Sequence, residues 1–157
     1  MKFTVIIIVL LFSVITFATD FSEVDSCLQF VGVYKVALTG CTRFNNKIPY
    51  YEGEIYTGLE INFNSQSKAL KMRYNLGDGA FLVHYITDGK LHAGDKANTG
   101  KSYIANCLPN QIVTKREGLL KDPLITTVTL TPAGLTLVES LDGDSFIRTC
   151  PMIRQGE

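Results

Sequence analysis

Short stretches in which apolar and polar residues alternate constrain the fold of this chain more than any other feature. In 59–63 and again in 70–76, apolar residues recur at every second position, with polar or charged residues between them. A period of two is typical of β-strands that have one buried and one solvated face. The polar run 64–67 separates the two stretches, and Gly77-Asp78-Gly79 ends the second, as turns between antiparallel strands do.

The same pattern continues to the end of the chain and predicts an all-β fold. It predicts further strands at 80–87, 90–93, 101–107, 111–117, 124–131 and 135–141. The first strand is predicted at Phe30–Cys41 and the last at Asp144–Cys150. A meander leaves two exposed edges, which favour aggregation. We therefore expect an antiparallel meander of about eight to ten strands in which the first strand pairs with the last and closes a disulfide-bonded barrel.

The first 18 residues have the features of a secretory signal peptide. One positive charge, on Lys2, precedes an apolar run from Phe3 to Phe17, and Thr16-Phe17-Ala18 places small residues at a cleavage site. The run is shorter than the roughly 20 residues that a membrane-spanning helix needs. We expect residues 1–18 to be removed near Ala18, and 19–157 to form a single secreted or periplasmic β-barrel domain that does not insert into a membrane.

Four cysteines remain after the predicted cleavage, and an even number in an exported domain indicates two disulfides. Four cysteines allow three connectivities. If the first and last strands run antiparallel, Cys27 lies near Cys150. That pairing leaves Cys41 for Cys107, and it is the one we predict.

Charge and motifs exclude several classes of function. The chain has 15 basic and 15 acidic residues without a basic stripe, so we expect no nucleic-acid partner. It contains no G-x-S-x-G, H-E-x-x-H or P-loop motif, and we expect neither catalysis nor a cofactor. We expect no bound metal. His84, between Leu82 and Ile86, is predicted to be packed in the barrel, and His92 lies in a predicted hairpin.

Two short motifs resemble those of a known group of barrels. Lipocalins and related calycin barrels carry G-x-W in the first strand and an arginine near the end of the last, stacked together. The segment 30–34, Phe-Val-Gly-Val-Tyr, together with Arg148, is similar to that pair, with Tyr34 in place of tryptophan. The resemblance implies a ligand-enclosing barrel in which Arg148 lies over the Tyr34 ring. The turn 88–92 before the strand that contains Cys107 also resembles small exported barrels of bacteria.

Two functions follow from this fold. A barrel of this size can enclose one small apolar ligand. The side chains that would line it are Tyr34, Leu70, Met72, Tyr74, Phe81, Val83, Tyr85 and Arg148. Alternatively, the core is packed and the loops bind another protein, with Tyr50 and Tyr51 as a recognition patch. The segments 77–81 and 93–97 resemble those of periplasmic inhibitors of C-type lysozyme, which act in this second way.

Overall fold

The alternating stretches of the sequence form the strands of one antiparallel sheet. The computed structural model describes residues 23–43, 56–95, 99–120, 122–142 and 145–156. In these ranges a short helix, α1 (Glu23–Leu28), precedes eleven strands. The strands are β1 (Gly32–Val36), β2 (Thr42–Arg43), β3 (Tyr56–Asn64), β4 (Ala69–Leu76), β5 (Ala80–Ile86), β6 (His92–Ala93), β7 (Ser102–Leu108), β8 (Gln111–Glu117), β9 (Leu124–Thr131), β10 (Gly134–Leu141) and β11 (Ser145–Arg154). The predicted signal peptide and the Tyr50-Tyr51 loop lie outside the described residues.

The sheet curls into a nearly closed barrel, as the sequence predicts. Its strand order is β5-β4-β3-β1-β11-β10-β9-β8-β7-β6, so β1 lies between β3 and β11, and β2 pairs with β11 beside this path. The sheet comes round on itself where β5 approaches β7. There the Ile86 amide donates to the Tyr103 hydroxyl at 3.1 Å, and the Gly89 amide donates to the Ala105 carbonyl at 3.1 Å.

The pairing of β1 with β11 is antiparallel, but its register differs from the prediction. Tyr34 lies opposite Arg154, and Val36 lies opposite Met152. β11 runs through Pro151 and ends at Arg154, beyond the predicted end at Cys150. The far end of β11, rather than Cys150, therefore lies beside the start of β1.

This longer strand changes the disulfides. Because Thr42 pairs with Thr149, the preceding Cys41 lies beside Cys150, and these two form a disulfide with their Cα atoms 4.2 Å apart. The second disulfide joins Cys27 to Cys107, at a Cα–Cα distance of 5.2 Å. Two disulfides form, but the predicted pairing of Cys27 with Cys150 and of Cys41 with Cys107 is wrong.

The same shift corrects the predicted contact between Arg148 and Tyr34. Arg154 takes the position opposite Tyr34, and its guanidinium donates to the Val31 carbonyl at 2.7 Å. A Cβ at Gly32 would lie 3.1 Å from Arg154 Nε and 3.5 Å from Tyr34 Cε2. A glycine therefore leaves room for the arginine and the ring together. Arg148 lies deeper in the barrel.

Helix α1 packs against β7, to which the Cys27–Cys107 disulfide ties it. The Phe30 amide donates to the Cys27 carbonyl, and the Phe30 side chain is buried in the core. The Gln29 side chain donates to the Pro109 carbonyl in the turn after β7. α1 therefore lies at the β7–β8 turn end of the barrel. No helix in the described ranges is long and apolar enough to span a bilayer.

Apart from the start of β3, side chains alternate between the interior and the outer surface along β3–β5 and β7–β10. In β5, Val83 and Tyr85 are buried, whereas Leu82 and His84 are exposed. The prediction that His84 is packed in the barrel is therefore wrong. The apolar neighbours of His84 suggested a strand buried on both faces, but its register places it on the outer face.

Candidate ligand-binding site in the barrel interior

Nearly all the side chains that the sequence predicts as ligand-lining face the interior. Phe81 is partly buried and packs against the core. The remaining seven are buried almost completely: Tyr34, Leu70, Met72, Tyr74, Val83, Tyr85 and Arg148. Their contact with a ligand stays a prediction.

The side of the interior formed by β3, β4 and β5 is apolar and aromatic. The rings of Tyr74 and Phe81 stack with centroids 4.6 Å apart, and the Tyr56 ring lies 5.4 Å from that of Tyr74. Leu59, Ile61 and other aliphatic side chains of these strands complete this wall. It is the kind of surface that accepts the apolar part of a small molecule.

The opposite side of the interior carries a row of polar side chains across four neighbouring strands. Thr114 on β8 pairs with Thr126 on β9, which pairs with Glu139 on β10, which pairs with Arg148 on β11. All four are buried. The next inward-facing row, two residues away on each strand, is apolar: Ile112, Val128, Leu137 and Cys150.

Glu139 is the centre of this polar wall. Its carboxylate lies 3.0 Å from Arg148 Nε and 3.6 Å from Arg116 Nη2. The Tyr56 hydroxyl donates to the same carboxylate, 3.1 and 3.2 Å from its two oxygens. The Arg148 guanidinium also covers the Tyr56 ring, 4.4 Å from its centroid, and Arg116 donates to Thr126 at 3.3 Å. We call these five side chains the interior polar cluster.

A β-bulge brings Tyr56 into this cluster. Beyond it, Leu59 and Ile61 face inward, so strict alternation would turn Tyr56 outward. The register between β3 and β4 shifts between Tyr56 and Gly58, which returns Tyr56 to the interior. A Cβ at Gly58 would lie 2.6 Å from the Tyr34 carbonyl oxygen, so the close approach of β1 here requires glycine.

Two buried hydroxyls, those of Tyr85 and Thr114, lie next to the interior polar cluster. The two hydroxyls interact with each other, but neither makes a hydrogen bond of normal geometry among the described residues. Burial raises the pKa of Tyr85. The positive charge of Arg116 opposes this shift, as does hydrogen bonding with the Thr114 hydroxyl, and the negative charge of Glu139 adds to it. The charges of the cluster therefore act directly on the Tyr85 hydroxyl.

The sequence prediction includes Arg148 but misses the rest of the interior polar cluster. Alternation indicates an inward position for two of the missed residues. Arg116 shares a strand face with Ile112, and Glu139 shares one with Leu137. Charged residues are rarely buried unless paired, so their residue type favours a surface position. No sequence signal marks Tyr56, because a bulge determines which way it faces.

The two histidines do not form a site together in the described part of the chain, where no group of three or more potential metal ligands occurs. His84 is exposed. His92 Nε2 lies 2.7 Å from Asp88 Oδ1, and its ring stacks on that of Tyr103 at 5.4 Å. The hydrogen bond with His92 lowers the pKa of Asp88. This pair links the two ends of the connection between β5 and β6.

Comparison with known proteins identifies the fold. No protein-family model matches the chain, and no curated protein sequence matches it. Among solved structures, the wild-type fluorescent protein UnaG matches with a TM-score of 0.59 and 12% identity, covering 82% of this chain and 98% of that one. The REP1-NXSQ fatty acid transporter matches with a TM-score of 0.60 and 9% identity over 83% and 98% of the two chains.

A third neighbour comes from Echinococcus granulosus. Its fatty-acid-binding protein 1 matches with a TM-score of 0.60 and 9% identity, covering 81% of this chain and 98% of that one. Identities this low establish similarity of fold alone. The chain has the fold of a calycin-like β-barrel, which these three proteins share.

Proposed function

We propose that this protein binds one small, largely apolar molecule inside the barrel, with the interior polar cluster orienting its polar end. The carrying observation is the contrast between the two interior walls. The wall of β3–β5 is apolar and aromatic, whereas the wall of β8–β11 carries buried charges. A few placed polar groups in an apolar interior are typical of small-molecule sites.

A purely stabilising role does not readily explain why charged side chains are buried in the barrel. Apolar residues of similar volume often stabilise a core as well as a buried ion pair does, because burial removes both charges from water. Glu139 and Arg148 are nevertheless both buried, and Arg116 lies beside them. Contact with the polar end of a ligand accounts for charged side chains at these interior positions. The fatty-acid transporter and fatty-acid-binding protein that share this fold support the same class of ligand.

Adjacent substitutions on opposite faces of β5 test the proposal. Val83→Trp places a large ring in the interior, and Leu82→Trp places it on the outer surface, where Leu82 is 44% exposed. Purified protein freed of lipid is titrated with N-phenyl-1-naphthylamine, an uncharged apolar fluorescent probe. We expect the unmodified protein and Leu82→Trp to bind one probe per chain, and Val83→Trp to bind at least about tenfold more weakly.

Circular dichroism and thermal unfolding confirm that each variant folds. Probe binding that is equal in the two variants would place the probe outside the barrel. Absence of binding by the unmodified protein would contradict the proposal.

Export is a further part of this proposal. Two disulfides suit an oxidising compartment. We propose that the chain is secreted or periplasmic and that residues 1–18 are cleaved near Ala18. The mass of the protein recovered from its own source tests this, since a chain that retains Met1 or begins elsewhere contradicts it. Binding of another protein through Tyr50 and Tyr51 stays a prediction about residues outside the described ranges.

A further inference from the structure

The Tyr85 and Thr114 hydroxyls are the starting point, because buried polar groups in proteins are nearly always hydrogen-bonded. Tyr85 is 1% exposed and Thr114 is fully buried, and the two hydroxyls interact with each other but make no hydrogen bond of normal geometry among the described residues. Both face the interior, Tyr85 on β5 and Thr114 on β8, the strand next to the one that β5 approaches. Each hydroxyl can donate and accept a hydrogen bond. A guest atom that does both would satisfy the two together.

Glu139 determines which charge such a guest can carry. An acidic head group would fit between Arg148, Arg116 and the Tyr56 hydroxyl. The Glu139 carboxylate already occupies that position. A second carboxylate nearby would put two negative charges in one cluster shielded from water, and like charges so placed disfavour each other's ionised form. Arg116 attracts an anion towards the same place, and Glu139 opposes part of that attraction.

We propose that Glu139 is a specificity-determining residue that makes the barrel select a ligand with an uncharged, hydroxyl-bearing head group over the matching carboxylic acid, with the head group bonded to Tyr85 and Thr114. This inference rests on the proposed function, and it names the class of ligand: amphiphiles with an apolar tail and an alcohol head. Glu139 acts here as the protein's own anion in the place of an acidic ligand.

A matched pair of ligands tests the inference. Dodecanol and dodecanoic acid differ only in the head group, and each is titrated at neutral pH against probe-loaded protein. We expect the unmodified protein to bind the alcohol more tightly. In Glu139→Gln the acid-to-alcohol affinity ratio should rise by at least about tenfold, the lower end of what one close buried charge does to another. Glu117→Gln, the same charge change at an exposed position on β8, should leave the ratio unchanged.

A second variant covers the case in which Glu139→Gln does not fold. Tyr85→Phe removes one hydroxyl and no charge, and should weaken the binding of dodecanol about fivefold more than it weakens the binding of the probe. Tighter binding of the acid by the unmodified protein overturns the inference. So does an unchanged ratio in folded Glu139→Gln, or unchanged alcohol binding in Tyr85→Phe. If neither ligand nor probe binds, the proposed function itself fails, which is a distinct result.

Discussion

The barrel is joined at two places, and they are held in different ways. Where β1 meets β11, backbone hydrogen bonds form a ladder, and the Cys41–Cys150 disulfide links the neighbouring β2 and β11. Where β5 meets β7, the described hydrogen bonds are the one from Ile86 to the Tyr103 side chain and the one between the Gly89 and Ala105 backbones. We call the first the ladder seam and the second the side-chain seam.

The difference shows how two strand edges can meet without a complete ladder. At the ladder seam, backbone pairing is independent of side-chain identity, so individual substitutions there should have local effects. At the side-chain seam, the Tyr103 hydroxyl, the Gly89–Ala105 hydrogen bond and the disulfide from α1 to β7 hold the strand edges together instead. The side-chain seam should therefore open before the rest of the barrel, and each of its few contacts should matter more.

Removing the disulfides should give the largest effect. Cys41→Ala/Cys150→Ala and Cys27→Ala/Cys107→Ala release loops of similar length, with sequence separations of 109 and 80 residues. In the chain-entropy model each change lowers the free energy of unfolding by about 4–5 kcal/mol. Only the second frees α1 from β7, so only the second should expose amides of β5 and β7 to fast hydrogen exchange.

Denaturant unfolding and hydrogen exchange followed by mass spectrometry measure these two effects. If both double variants lose protection in the same segments, the distinction between the seams is wrong.

Single hydroxyl deletions should give an intermediate effect and separate the seams more finely. Tyr103→Phe removes the acceptor for the Ile86 amide, and Tyr34→Phe removes the donor to the Phe30 carbonyl at 2.9 Å near the ladder seam. Each should cost about 1 kcal/mol. Tyr103→Phe should also speed hydrogen exchange at Ile86 by more than its global destabilisation explains.

Nuclear magnetic resonance measures exchange at the Ile86 amide directly. Tyr34→Phe serves as the control, and equal acceleration of Ile86 in both variants would contradict the side-chain seam.

Asp88→Asn should give the smallest effect, and one that depends on pH. The hydrogen bonds from His92 and from the Lys90 amide lower the pKa of Asp88 below its ordinary value of 3.8. The Asp88 carboxylate therefore stabilises the fold fully when the pH is above 3.8, and this stabilisation is lost as the pH falls through the lowered pKa of the folded state. Thermal unfolding should show a deficit of at most about 2 °C at neutral pH that shrinks progressively as the pH falls below the ordinary pKa of 3.8. A deficit that persists at low pH would contradict the assignment.

Local features of the fold could be predicted from the sequence, because alternation and turn residues act over a few positions. The predicted strand 124–131 has the observed bounds of β9, Leu124–Thr131, and the β3–β4 hairpin follows from alternation on both sides of the Asn64 turn. The Asn64 side chain accepts hydrogen bonds from the Gln66 and Ser67 amides, which explains why this turn is readable in the sequence.

Features that depend on distant parts of the chain could not be predicted. Proline cannot donate to a ladder, so Pro151 looks like the end of a strand, yet β11 continues through it. That single error moves the register and, with it, the disulfide partners. In the site, Arg148 is predicted from the resemblance to the motif pair of calycin barrels, although the ring that it covers is that of Tyr56 rather than Tyr34. Alternation places Glu139 on the face of Leu137, but its charge favours a surface position, and its partners come from other strands.

The position of the Cys41–Cys150 disulfide has a consequence for the order of folding. Most ladders of the barrel join strands that are close in sequence, but β11 pairs with β1 across about 120 residues, as between Tyr34 and Arg154. Closing a flexible loop of that length costs about 4 kcal/mol of chain entropy, so this pairing should be a late and slow event in a reduced chain. The disulfide stands at the far end of the same β11 edge. When an oxidised chain unfolds, the disulfide keeps its first and last strands close together. Closing the long loop therefore slows the first folding of the reduced chain but not the refolding of the oxidised one.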